Sequence, residues 1–192
     1  MLLPVPGGVV PSRAVSALLE AGVDRVVVVL GADAELVRAK AAPRKDGRLR
    51  FAVNEGWRQG MSSSLRRGVE ACFESDAVLI ALADQPGMTP DRVRSVLAAF
   101  APESNLVVPV HGGVPAHPIL FARSLFPELL ALTGDVGARE VVQRHWEEAI
   151  RIEMKPLSDI DTEEDYRCFL EAEGSPLTLP APSTGGERKR GQ

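Results

Sequence analysis

Apolar and polar positions fall along this chain in alternating blocks of two kinds. From Pro11 to Ala21 apolar residues recur at Val15, Leu18 and Leu19, and the block stops at Gly22, the pattern of a helix with a C-terminal glycine. The next block, DRVVVVLG, ends at Gly31 and is a continuous β-branched run that suits a strand buried on both faces. A helix over about Ala34 to Ala42, a strand over Arg48 to Glu55 and a helix from Ser62 to about Phe73 come next. AVLIALAD, Ala77 to Asp84, is the most buried-looking strand of the chain. Beyond it the pattern predicts a helix opened by Thr89 and Pro90, then strands at Leu106 to Val110 and Pro118 to Phe121. Helices at Leu125 to Leu132 and Gly137 to Trp146, a strand at Ala149 to Met154 and a helix from Thr162 to Ala172 complete the series. Strands alternating with helices predict a three-layer α/β domain whose sheet is mostly parallel and covered on both faces.

Composition sharpens this picture at the end of the chain. From Gly174 to Gln192 the residues turn to Ser, Pro, Thr and Gly, closed by the charged run Glu187 to Arg190, so residues 1–173 are expected to form the domain and residues 174–192 a disordered tail. The whole chain has 192 residues, 45% of them apolar, which is enough to build a core without disulfide staples. Cys72 and Cys168 sit in no metal-spaced cluster, and a reducing, cytoplasmic setting is expected. No apolar stretch approaches the roughly 20 residues of a bilayer span, and the start MLLPVPGGVVPSR lacks the basic region of a secretory signal. A formal charge of −4 offers no electrostatic footprint for nucleic acid.

In open α/β sheets ligands bind outside the carboxyl ends of the strands, so residues just after each apolar run are the first candidates for chemistry. Asp84 emerges from AVLIALAD where Gln85-Pro86 forces a turn; it either caps that turn or holds a metal or a sugar hydroxyl. In LSDIDTEED, Thr162 and Asp165 read as a helix-start box, which leaves Asp159 and Asp161 free to share a Mg²⁺ with Asp84 if the strand ends are neighbours. In GMSSSLRRG a serine caps the helix, and the remaining hydroxyls and free amides of Ser62, Ser63 and Ser64 would offer donors to a phosphate or ribose. GDVGAR, with Asp135 and Arg139, suits either a substrate loop or an ordinary helix start, and His117 in PAHPILF is either structural or functional. Trp57 and Cys72 read as packing residues.

The ordered set VVVVLGAD, VNEGWRQGMSSSLRRG, LIALADQPGMTP, HPILF, LTGDVGAR and DIDTEEDY resembles the MobA-like nucleotidyltransferases, and within them most closely the molybdenum cofactor cytidylyltransferase branch. The likeness covers nearly everything from Leu2 to Leu170. It implies a doubly wound, Rossmann-like nucleotidyltransferase fold and a Mg²⁺-dependent transfer of a nucleotide from CTP to the molybdenum-bound pterin, with release of pyrophosphate. It also implies a molybdenum hydroxylase as the enzyme that receives the product. Asp84 and Asp161 match the family's acidic metal-binding positions, Ser62, Ser63 and Ser64 its nucleotide segment, and His117, Asp135 and Arg139 loops on the pterin side. Such proteins begin with a strand and a glycine-rich loop, LAAGxSxRMGxxK, that grips the triphosphate. Neither stands in this sequence, so the resemblance predicts a sheet lacking its first strand and puts turnover by this form in question. Ala116 is a smaller departure, where glycine often precedes the His-Pro pair. The other implied roles are a catalytically inactive pterin-binding or maturation module and a transferase acting on another phosphorylated acceptor.

Overall fold

The computed structural model describes residues 2–6, 8–41 and 46–174. The expected tail beyond Gly174 lies outside the described residues. A short antiparallel pair, β1 (Pro4–Val5) and β2 (Gly8–Val9), leads into α1 (Val10–Ala21), which ends at Gly22 in the left-handed conformation at φ 91°. Then come β3 (Val26–Leu30), α2 (Ala34–Ala41), β4 (Leu49–Val53), α3 (Met61–Ala71) and β5 (Ala77–Ile80). The second half holds α4 (Pro90–Ala98), β6 (Leu106–His111), β7 (Val114–Pro115), β8 (Ile119–Ala122), α5 (Phe126–Ala131), α6 (Arg139–Arg144), β9 (Ile150–Glu153) and α7 (Glu163–Ala172). Local signals set many of these bounds. Thr89 accepts the Arg92 amide at the start of α4, and Thr162 and Asp165 form the expected reciprocal box at the start of α7.

The architecture is the expected three layers around a mixed sheet. α1 packs on α4 over one face, and α3 packs on α5 over the other. β3 and β4 pair in parallel, as do β6 and β9, because helical crossovers join them. The antiparallel part comes from β6, β7 and β8. Gly112 and Gly113, both at positive φ, make the two-residue turn that only a hairpin can use, and β8 then runs between β6 and β5. This hairpin and the β1–β2 pair are additions to the elements read from the pattern.

The core does not sit where the most apolar runs predicted. β6 and β8 are buried almost throughout, whereas β5 is half-buried along its whole length and β3 along its middle three residues. The reason is topological. The sheet is in two pieces, β3–β4 and the five strands around β6, and among the described residues β3 and β5 each pair on one side only. The largest cluster lies under α3, α5 and α6, around Phe121, Phe126 and Leu129. A smaller one ties the two ends of the domain together: Val5 and Val10 pack with Tyr166 and Leu170, the Tyr166 hydroxyl donates to Pro4 O, and Arg13 pairs with Glu173 at 2.6 Å.

Candidate active site

At the carboxyl end of β5 the chain turns through Asp84 and Gln85, and the segment ahead of α7 returns to the same place. The Ile160 amide donates to Asp84 O (3.0 Å), and Gln85 Nε2 donates to Asp159 Oδ1 (2.7 Å). Leu3, Val10, Asp84, Ile160 and Asp161 line a cavity of about 220 Å³. Among the described residues, buried Asp84 Oδ1 has no hydrogen-bond partner, and neither has Oε1 of neighbouring Gln85, a residue only 5% exposed. Burial pushes the Asp84 carboxyl above its ordinary range, and the charges of Asp159 and Asp161 add to the rise.

An orphaned buried carboxylate oxygen, in a residue that lines a cavity with Asp161, is a donor set suited to a hard divalent cation. Among the described residues no cluster of three or more His, Cys, Asp or Glu is already gathered at metal-binding distances. His117 belongs to the same end of the sheet. It is half-buried, and that burial holds its ring below the usual histidine range; Asp159 opposes this shift and Arg92 reinforces it. Arg92 fixes the loop, donating Nε to His117 O (2.8 Å) and Nη1 to Lys155 O (2.6 Å), while its buried Nη2 has no partner among the described residues.

A second group forms where β4 runs into α3. Asn54, the first residue after β4 and only 7% exposed, donates Nδ2 to Ser63 Oγ (2.9 Å) and Ser64 Oγ (3.0 Å). The GDVGAR loop closes on the start of α3. Gly134 O accepts both the amide and the hydroxyl of Ser62, at 3.2 and 2.7 Å, and Asp135 Oδ1 accepts the Met61 amide at 3.2 Å. The Ser63 amide and hydroxyl both donate to Gly60 O. The amides of Met61, Ser62 and Ser63, read from the sequence as free donors, are therefore satisfied inside the protein, the first two by the Gly134–Asp135 loop and the third by Gly60 O. Trp57 is not a core residue. It is 37% exposed, carries the Arg58 guanidinium 4.3 Å from its ring, and lines an open cleft of about 540 Å³ with Gln59, Gly60 and Asp135.

The structure thus brings Asp84, Asp159, Asp161 and His117 to one end of the sheet, and Asp135 together with Ser62, Ser63 and Ser64 at the start of α3. Arg139 opens α6 and is exposed. Sequence reasoning passed over Asn54, Gln85, Arg92 and Gly60. Asn54 carried the same signal as Asp84, a polar side chain just beyond an apolar run.

Residues 1–149 match the MobA-like NTP transferase domain family. The chain belongs to that family. Among curated MobA-like relatives and homologues, nicotine blue oxidoreductase of Paenarthrobacter nicotinovorans is 31% identical, covering 85% of this chain and 81% of its own length. Purine catabolism protein PucB of Bacillus subtilis is also 31% identical, covering 86% and 85%. The molybdenum cofactor cytidylyltransferase of Escherichia coli is 22% identical, covering 86% and 84%. Among solved structures, Rv0371c of Mycobacterium tuberculosis superposes with a TM-score of 0.77 at 27% identity, covering 88% of this chain and 87% of that one. Its complex with manganese gives 0.75 at 26%, covering 89% and 90%. A nucleotidyl transferase from Methanothermobacter thermautotroptrophicus likewise gives 0.75 at 26%, covering 89% and 83%. This MobA-like domain is a nucleotidyltransferase by family, and none of its described helices is long and apolar enough to cross a membrane.

Proposed function

We propose that this chain is a cytidylyltransferase of molybdenum cofactor maturation, moving CMP from CTP onto the terminal phosphate of the molybdenum-bound pterin. An acceptor phosphate oxygen attacks the α-phosphorus, the bond to the β-phosphate oxygen breaks, and pyrophosphate leaves. The observation that carries the transferase reading is the orphaned oxygen of Asp84, a residue that lines a cavity with Asp161 beyond the carboxyl end of a strand, in a chain of this family. The molybdenum pterin as acceptor is supported by the Escherichia coli relative's name and by the sequence likeness.

Asp84 and Asp161 would hold a divalent cation, for which we propose Mg²⁺. When bound, such an ion neutralises charge that builds on the phosphate oxygens. Ser62, held by Gly134 O, and Ser63 and Ser64, steadied by Asn54, would shape the nucleotide side. Because the amides of Ser62 and Ser63 are already engaged, the segment's contribution is to orient the nucleotide rather than to neutralise its charge. His117, Asp135 and Arg139 would meet the acceptor through hydrogen bonds, with Arg139 as the cationic member.

A second reading, an inactive pterin-binding or maturation module, is favoured by the open break in the sheet beside Asp84. Pyrophosphate release separates the two. The protein is incubated with Mg²⁺, CTP or GTP, and either the molybdenum pterin or a sugar phosphate. CTP- and pterin-dependent release is the expected outcome. Release with the sugar phosphate alone would change the acceptor, and no release under any condition, with pterin still bound, would establish the module.

A further inference from the structure

The outer edge of the five-stranded sheet is β9. Among the described residues it pairs with β6 alone, and its sequence, IRIE, alternates apolar and charged positions. Ile150, Ile152 and Met154 lie half-buried on the α4 face of the sheet, in the cluster that holds Val96 and Leu97. Arg151 and Glu153 stand exposed on the opposite face. Each is held there by a neighbour. The Arg151 guanidinium lies 5.2 Å from the centre of the Trp146 ring, and Glu153 Oε1 accepts the Gly112 amide at 3.2 Å and lies 3.2 Å from His111 Nδ1.

The ladder shows which backbone groups look outward. The Met154 amide donates to Val110 O, whereas Pro109 O turns the other way and accepts the Ala116 amide. Alternate residues of a strand point their N–H and C=O to the same side, so Ile150, Ile152 and Met154 face β6, and those of Arg151 and Glu153 face away from it. In an antiparallel ladder two opposed residues exchange both bonds. A second β9 laid antiparallel, with its Glu153 opposite Arg151 and its Arg151 opposite Glu153, therefore gives every outward N–H and C=O a partner. The same register sets Ile152 against Ile152 and Ile150 against Met154. Each cross-strand pair on one face is apolar, and each on the other joins opposite charges. A shift of two residues in the pairing sets Arg151 against Arg151 or Glu153 against Glu153, and like charges directly opposite are destabilising. Charges ordinarily keep an edge strand from pairing. With alternating sign they reject the wrong registers and fit one.

We infer that β9 is a self-complementary edge through which two copies of this chain pair antiparallel, about a two-fold axis at Ile152, and join their five-stranded sheets into one. Both copies present the same patch, so the contact closes at two and builds no fibre. A strand of four residues buries too little surface for an obligate dimer, and the association is reversible. The carboxyl end of β9 leads on toward Asp159 and Asp161, so the antiparallel arrangement turns the two acidic cavities to opposite ends of the joined sheet. Neither copy supplies a residue to the other's cavity, and the pairing is independent of the transferase reading.

Sedimentation velocity over protein concentrations from about 1 μM to about 1 mM tests it, on the parent, Arg151→Glu, Glu153→Arg and the double variant. The parent is expected to pass from monomer to dimer across that range. Either single variant opposes like charges and should dissociate about tenfold or more as readily. The double variant restores opposite pairs and should recover. An equimolar mixture of the two single variants should form a heterodimer, because an all-acidic edge then meets an all-basic one. A parent that stays monomeric throughout overturns the inference. So does a dimer that the single variants leave intact, or one that neither the double variant nor the mixture restores. If a variant fails to fold, hydrogen exchange in the parent decides. The amides of Arg151 and Glu153 should slow about tenfold between the ends of the concentration range, and exchange that is the same at every concentration overturns the pairing.

Discussion

Gly60→Ala is the substitution with the sharpest structural forecast. Gly60 sits at φ 104°, ψ 173°, and a Cβ built there would lie 2.4 Å from Gly134 O, 2.5 Å from Gly134 C and 2.7 Å from the Asp135 amide nitrogen. All three are backbone atoms, so the loop must move. The conformation alone costs a non-glycine residue about 1–3 kcal/mol. Displacing the loop threatens the two bonds from Ser62 to Gly134 O and the bond from the Met61 amide to Asp135, each about 0.5–1.5 kcal/mol net. With part of that recovered by water, the loss is about 3–5 kcal/mol, or a thermal midpoint about 6–20 °C lower for a chain of this size. Gly112→Ala is the control, because Gly112 also has positive φ, at 55°, but nothing lies within 4 Å of its Cβ position. It should cost only about 1–2 kcal/mol. Chemical denaturation of both variants beside the parent measures the difference. If Gly60→Ala loses no more than Gly112→Ala, the close approach of the two loops is not what demands glycine, and the cap on α3 is weaker than its geometry implies.

Other expectations can be checked on the same protein. Because burial and two acidic neighbours raise the Asp84 carboxyl, the folded state holds its proton to higher pH than the unfolded state does, and the group opposes folding progressively as pH climbs from the ordinary carboxylate range through its raised value. Without metal, Asp84→Asn should therefore be more stable than the parent at pH 7–8, with the difference vanishing toward the ordinary carboxylate range, and should lose any thermal stabilisation by Mg²⁺; a parent and variant that respond alike to Mg²⁺ would remove Asp84 from the metal site. Tyr166→Phe leaves Pro4 O without its donor and should cost about 1–3 kcal/mol in urea unfolding, with a wild-type-like result showing that water reaches the carbonyl. In thiol titration Cys168, which is exposed, should react well before Cys72, whose thiol is half-buried and pushed up by that burial.

How legible each part was depended on how local its cause is. The stop of α1 at Gly22 and the caps at Thr89 and Thr162 lie within a turn of the residues they act on, and the sequence pattern found them. The pairing of β3 and β5 depends on neighbours distant in the chain. A run such as VVVVL records only that its residues suit an interior, and says nothing of whether both its edges are met. The same limit applies to the site. Asp84 was legible from its position after an apolar run, but its nearness to Asp161 rests on the Ile160 amide reaching Asp84 O, a contact no local pattern encodes. The cap of α3 by Gly134 and Asp135 is long-range too, which is why amides that look free in GMSSSLRRG are not.

The clasp between the first strand pair and the last helix has a consequence for the order in which the protein is built on the ribosome. β6, β8 and the helices around Phe121 and Phe126 are complete once α6 has emerged, and they can consolidate while synthesis continues. Val5 and Val10 must wait for Tyr166 and Leu170, and Asp84 for Ile160 and Asp161. Assembly of the acidic cavity thus follows consolidation of the core. A nascent chain cut short before Ile160 would carry a packed core and yet lack the residues that close the cavity over Asp84, so the site is assembled only after the core.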